Sequence, residues 1–377
     1  MAPRFSFRLE ATCPHTGARA GRFVTPHGEV KTPFFMPVGT RGTVKGIHPS
    51  MLRDIGSQVV LANTYHLHLR PGEETVRTLG GLHDFMGWSG PILTDSGGYQ
   101  IFSLAHLTSI DEDGATLKSL VDGSDVRFTP ESVIDIERDL GADVIMALDH
   151  CPPDPQERDA VAAATDRTHR WLERCVSRWR ENGSEEAGQA LFGIVQGGAF
   201  PDLRAASVQA VTEHDLVGYA IGGVSVGEQV DAMRVAVEAA APLLPADRPR
   251  YLMGIGTPRD CLDAVAAGVD MFDCVTPTRH GRTHQAFTTG GRINLRNRRY
   301  RDDPTPLDPD ADHELLRGFS RGYLRHLCKS DEMLGAMLLS LHNLRFFHRL
   351  MEDARQAIFD GTLPELRERA RSWMDRA

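Results

Sequence analysis

Residues 144–149, Val144-Ile145-Met146-Ala147-Leu148-Asp149, run five apolar side chains straight into a carboxylate. A short apolar run without polar alternation reads as a strand buried on both faces. Val59-Val60-Leu61-Ala62 and Phe192-Gly193-Ile194-Val195 repeat the pattern. Working outward, eight such runs finish near Gly39, Asn63, Asp95, Asp149, Gln196, Gly222, Gly254 and Asp273. Longer segments of helical character separate most of them. Eight strand–helix units predict an α/β fold, a (β/α)8 TIM barrel, whose chemistry sits at the C-terminal ends of the strands. The eight endings are therefore expected to face one another in a single bowl.

The chain has 377 residues, enough for one barrel with insertions rather than two equal domains. Its 42 basic and 51 acidic residues give a formal charge of −9, which argues against nonspecific affinity for nucleic acid. Cys13, Cys151, Cys175, Cys261, Cys274 and Cys328 are scattered without paired spacing, as expected of reduced thiols in a cytoplasmic protein. No apolar run is long enough to span a membrane, and Met1-Ala2-Pro3-Arg4-Phe5 lacks the apolar core of a signal peptide.

Residues 5–33 read as a β-hairpin cap ahead of the barrel, because Phe5, Phe7 and Leu9 alternate with polar residues before the turn formers Pro14 and Gly17. Residues 102–128 read as a second hairpin excursion, with turns at Asp113-Gly114 and Asp122-Gly123. Thr129-Pro130 is expected to cap and open a helix. A polar helix is expected over 156–182, and an amphipathic helix over 331–359, in a C-terminal helical subdomain after the eighth strand.

The strand ends carry complementary chemistry. Asp149 and Gln196 offer acceptors, and Gly222 and Gly223 offer backbone N–H donors. Guanine has the matching edge, with N–H donors at N1 and N2 and an acceptor at O6. A base read in this way must be extruded, and Tyr99 and Met253 are candidates to cover its faces. The paired glycines of Asp95-Ser96-Gly97-Gly98 let backbone come close to a ligand. Asp95 and Asp273 suit displacement at a sugar carbon, one carboxylate attacking C1′ while the other moves protons. The bland alternative for any one strand-end aspartate is a helix cap. It weakens when five of eight endings fit one ligand. His66 and His68 form an H-x-H pair after the second strand, a pattern seen in metal hydrolase barrels. No matching His, Lys and Asp set follows on later strands, so one packed and one solvated histidine is the preferred reading.

Arg279, Arg282, Arg292, Arg296, Arg298, Arg299 and Arg301 cluster within 279–301, without an acidic residue among them. Either this is a solvated charge run or it is a phosphate-binding face, since arginine forks match phosphate oxygens. The cluster begins six residues after Asp273, at the expected catalytic rim, which favours a polyanion.

Together, Asn63-Thr64-Tyr65-His66-Leu67, Thr94-Asp95-Ser96-Gly97-Gly98-Tyr99-Gln100, Gly193-Ile194-Val195-Gln196-Gly197-Gly198, Ile221-Gly222-Gly223-Val224, Asp270-Met271-Phe272-Asp273-Cys274-Val275 and Pro277-Thr278-Arg279 closely resemble the bacterial tRNA-guanine transglycosylases, also called queuine tRNA-ribosyltransferases. The resemblance spans nearly the whole chain. It implies exchange of the wobble guanine of the tRNAs for Asp, Asn, His and Tyr for 7-aminomethyl-7-deazaguanine, usually by a homodimer. It implies Asp273 as nucleophile, Asp95 as general acid/base, and Ser96, Tyr99, Asp149, Gln196, Gly222, Gly223 and Met253 around the base. Arg279 and Arg282 match the segment that reads the anticodon loop, so 279–359 is expected to hold a basic RNA-binding segment and a helical region. Val224 and Val226 resemble the bacterial pocket rather than the glycine-opened eukaryotic one. Alternatives are a noncatalytic tRNA-binding partner subunit, or a base exchanger that uses queuine or another RNA.

Two departures stand out. The family holds structural zinc with C-x-C-x-x-C and a later histidine. The corresponding positions here are Ala311, His313, Leu316 and His342. Two of the four cannot bind a metal, so no metal and no other cofactor are expected. His326 and Cys328 are the nearest conceivable substitutes. The second departure is Thr283-His284 where the family commonly has Asn-Gly, which changes backbone freedom just after the arginines.

Overall fold

The computed structural model describes residues 4–374, apart from 105–107, 153 and 225–229. The barrel strand β1 runs Phe34–Met36 and Val38–Gly39 around Pro37, followed by β2 Val60–Asn63, β3 Ile92–Asp95 and β4 Val144–Met146. The other half is β5 Ala190–Val195, β6 Gly218–Ile221, β7 Arg250–Leu252 and β8 Met271–Asp273. All pairings are parallel, and β8 hydrogen-bonds to the first half of β1 while β2 takes the second half. The ring is therefore closed, as expected for a TIM barrel. Val60, Leu61, Val144, Met146, Phe192 and Ile194 are all buried because alternate side chains point into the barrel and into the helical shell.

The shell follows from local sequence. The helix Pro130–Leu140 opens with the Thr129 side chain accepting from Ser132 N, and Ser132 Oγ accepting from Thr129 N. Gly141, at φ 75°, closes it. The expected polar helix is Arg158–Glu181, and it buries Trp171, Leu172 and Val176 along one stripe. The last long helix is Met333–Asp360, within two residues of expectation.

The N-terminal cap has three strands, not two: Ser6–Thr12, Arg19–Thr25 and Gly28–Thr32 form one antiparallel sheet. The third was hidden because only Val30 and Thr32 of its five residues are buried. Phe23 and Val30 plug the N-terminal mouth of the barrel beside Phe34 and Phe192. Polar pins hold the plug there. His27 Nδ1 and His83 Nε2 lie 2.7 and 3.1 Å from the carboxylate oxygens of buried Asp143, just ahead of β4. The excursion after β3 likewise has three strands, Thr108–Ile110, Ala115–Lys118 and Asp125–Phe128. Its Glu112 carbonyl accepts from Trp171 Nε1 at 2.8 Å.

After β8 the chain forms a short helix Thr276–Arg282 and a hairpin, Gln285–Thr288 with Gly291–Asn294, so this region is not purely helical. Asn343, on the last long helix, donates to Pro277 O and Gln285 O and accepts from Phe287 N. One buried amide thus ties the arginine-bearing helix and the hairpin to the shell. Among the described residues, no helix is long and apolar enough to cross a membrane.

Candidate active site

The strand ends do converge. A cavity of about 610 Å3 at the C-terminal mouth of the barrel is lined by Asp95, Ser96, Tyr99, Asp149, Gly222, Gly223, Met253 and Asp273. Arg279 and Arg282 stand on its rim. Gln196 reaches it through its hydrogen bond to Asp149.

Asp95 is the last residue of β3 and pairs in register with Asn63 of β2. Asn63 Nδ2 donates to Asp95 Oδ2 at 2.5 Å, and Thr64 N donates to Oδ1 at 3.1 Å. Burial outweighs these bonds and, with the nearby charges of Asp273 and Asp149, pushes the carboxyl up to about 7. Asp273, the last residue of β8, accepts from the Tyr251 hydroxyl at 2.6 Å and from Gly254 N at 2.7 Å, both through Oδ1. Burial raises its carboxyl too, while those two donors oppose the rise. Oδ2 carries none of these bonds.

The Asp149–Gln196 pair is equally constrained. Gln196 Nε2 donates to Asp149 Oδ2 at 2.7 Å. Burial lifts the Asp149 carboxyl to about 6, against that bond. Backbone crowds the pocket closely. A Cβ on Gly98 would lie 1.8 Å from Asp149 Oδ1, and one on Gly223 would lie 2.2 Å from Gln196 Oε1. Gly223 also has φ +64°, a conformation side chains disfavour. Ser96 is buried and its Oγ accepts from Gly98 N at 3.4 Å. Tyr99 is 54% exposed, so its ring stands at the mouth with a free face, whereas Met253 packs against the barrel interior.

The arginines of 279–301 are all exposed. Arg279 and Arg282 make no ion pair with any described residue. Lys45, on the loop after β1, joins them in the cavity lining. Burial, then Arg282, Arg41 and Arg279, lower its ammonium below the usual lysine value. Sequence reasoning missed Lys45, although Arg41 and Lys45 flank a loop expected at the chemical end of β1. It also gave no role to Thr64 or Tyr251. The register of Asn63 beside Asp95 is a tertiary fact with no sequence signal of its own.

The family-model description that matches residues 13–375 is queuine tRNA-ribosyltransferase. The chain belongs to that family. Curated queuine tRNA-ribosyltransferases of a Synechococcus species and of Thermus thermophilus are 55% and 54% identical to it. The matches cover 96% of this chain and 96% of the first relative, and 95% and 91% for the second. The queuine tRNA-ribosyltransferase of Ruminiclostridium cellulolyticum is 50% identical over 96% of each chain.

As a member of the queuine tRNA-ribosyltransferase family the chain is a pentosyltransferase, and the metal-hydrolase reading of His66 and His68 falls away. His66 lines the cavity, and His68 Nδ1 lies 2.7 Å from Glu73 Oε2. Both are half-buried, which corrects the expectation of one packed and one solvated ring. Among the described residues the one group of three metal-capable side chains is His27, His83 and Asp143, at the opposite end of the barrel. Val224 is buried and lines the cavity, while Val226 lies outside the described residues.

Proposed function

We propose that this protein exchanges the wobble guanine of GUN-anticodon tRNAs, those for Asp, Asn, His and Tyr, for 7-aminomethyl-7-deazaguanine in queuosine biosynthesis. The observation that carries the reading is one cavity with two carboxylates at its strand ends, Asp95 and Asp273, beside a donor–acceptor set that fits guanine. Asp149 accepts from the base edge, Gly223 supplies an N–H donor, and Tyr99 and Met253 cover the ring faces. The Gly222 N–H already donates to Val195 O at 3.0 Å, which corrects the expectation of a second backbone donor there.

The chemistry is a double displacement. Asp273 Oδ2 attacks ribose C1′, the C1′–N9 bond breaks, and guanine leaves with a proton from Asp95. The incoming base returns its N9 proton to Asp95 as N9 attacks C1′ and the ester bond to Asp273 breaks. A group with a pKa near 7 can hold the proton in the first step and take it back in the second. Asp273 must be ionised, and the Tyr251 and Gly254 donors favour that form.

Arg279, Arg282 and Lys45 at the rim would take anticodon-loop phosphates, which gives 279–359 its RNA-binding role. Exposed Leu315, Tyr323, Met333 and Leu334 in the same region support a homodimer. The reading places the protein in the cytoplasm, where tRNA is modified.

Incorporation of radiolabelled guanine into unmodified tRNA-Tyr transcript tests the activity. Incorporation by the wild type and none by Asp273→Asn supports it. Tight tRNA binding without exchange of any base would instead favour a noncatalytic tRNA-binding subunit.

A further inference from the structure

The residues at the family's zinc position do not fit the metal. Ala311 and Leu316 are each 3% exposed and belong to the apolar core of the shell. His313 and His342 remain, each with a buried Nδ1 that has no hydrogen-bond partner, and His342 Nε2 is bound to Phe287 O at 2.7 Å. Among the described residues no third metal-capable atom groups with these two nitrogens. His326 and Cys328 do not complete a set either. Cys328 is fully buried in a separate apolar cluster with Leu324 and Leu339. A tetrahedral structural site needs four donors.

Arginine occupies the position instead. The Asp308 side chain is fully buried, and its Oδ2, which has no hydrogen-bond partner, lies 3.5 Å from a guanidinium nitrogen of Arg349, so the two are held by charge alone. Arg349 also donates to Asp310 O, so the guanidinium straps the loop that carries Ala311 to the long helix that carries His342. One turn earlier on that helix, Arg345 takes both oxygens of Asp312 through Nε at 3.0 Å, and Glu352 at 2.8 Å. Arg317 Nε donates to Ala311 O at 2.6 Å.

We infer that in this chain a guanidinium strap, Arg349 on Asp308 supported by Arg345 on Asp312, takes over the structural work of the zinc, and that the fold is metal-independent. A zinc site of this kind joins a loop to a helix by binding anionic thiolates of the loop and a neutral imidazole of the helix to one cation. Here Arg349 supplies the charge and Asp308 the anion, while Ala311 and Leu316 fill the volume left by the thiolates. A buried carboxylate that loses its counter-charge is strongly destabilising, so the two side chains must act as a unit.

The test is made on the full chain, purified without chelator. The expected zinc content is far below one atom per chain, and the Tm is the same with and without EDTA or added zinc. Arg349→Met and Asp308→Asn are each expected to lower Tm by several degrees, and the double variant by no more than the worse single one. Should Arg349→Met fail to fold, the wild-type metal content and the Asp308→Asn melting curve still decide. Stoichiometric zinc, a Tm that falls on chelation, or additive effects of the two substitutions would overturn the inference. None of these readouts depends on base exchange.

Discussion

The Tyr251 hydroxyl donates to Asp273 Oδ1 at 2.6 Å, between the neighbouring strands β7 and β8. The phenol is fully buried, and burial first, then the Asp273 charge, raises it well above the usual tyrosine value. It therefore stays a donor throughout the working range. With Gly254 N on the same oxygen, it fixes the carboxylate and leaves Oδ2 outside both bonds, the oxygen to which the proposed mechanism gives the attack.

Tyr251→Phe removes one of two donors to an ionised carboxylate. Such a bond contributes roughly 1.5–3 kcal/mol. The acid limb of kcat/KM should move to higher pH by about one to two units, because each unit of pKa corresponds to about 1.4 kcal/mol. Maximal kcat should fall while KM for tRNA stays unchanged. A pH–rate profile superimposable on the wild type would refute the positioning role.

Asp95 gives the opposite kind of signature. Its folded-state pKa of about 7 lies above the ordinary aspartate value of 3.8. Between those values the folded protein binds a proton that the unfolded chain does not. This group therefore contributes stability fully below about pH 4 and loses it as pH rises through 7. Asp95→Asn removes that dependence. The variant should be inactive in exchange, and more stable than the wild type at pH 8 by roughly 1–3 kcal/mol, with little difference near pH 4. Urea unfolding across the pH range checks the sign.

Gly223→Ala places a methyl group where Gln196 Oε1 now sits and strains a backbone at φ +64°. The strain alone costs about 1–2 kcal/mol. Base affinity should fall more than tenfold, since the pocket must open to accept the methyl group. Asp149→Asn should weaken base binding while leaving tRNA affinity intact. Calorimetric titration with guanine reads both.

Strands β2 to β6 were legible in the sequence because Val60-Leu61-Ala62 or Phe192-Gly193-Ile194 leave no polar face to expose. The aspartates were legible because each ends such a run. The third cap strand was not, since Gly28-Glu29-Val30-Lys31-Thr32 buries one aliphatic side chain and draws its stability from pairing with 21–25. Nor was the Tyr251–Asp273 bond, whose partners are 22 positions apart and meet only when β7 pairs β8. His284 shows the reverse case. Its replacement of glycine was plain in sequence, and the structure adds that it keeps φ +64°, with Nε2 3.5 Å from Asp331 Oδ1.

Arg279 and Arg282 sit ahead of that residue on the helix Thr276–Arg282. Arg282→Ala should weaken binding of every substrate tRNA alike. It should also reduce the slope of log K against log salt by about 0.7–0.9, the share of one phosphate contact. A specificity change among tRNAs without a change in slope would mean that Arg282 reads bases instead.

The proposed exchange rests on a covalent bond between Asp273 and ribose C1′, and denaturing gel electrophoresis of enzyme mixed with unmodified tRNA-Tyr transcript tests that bond most directly. The expected result is a covalent protein–RNA band that maps by mass spectrometry to the peptide containing Asp273, disappears on adding excess guanine, and is absent for Asp273→Asn. A band that maps to Asp95, or exchange at the full rate by Asp273→Asn, would contradict it.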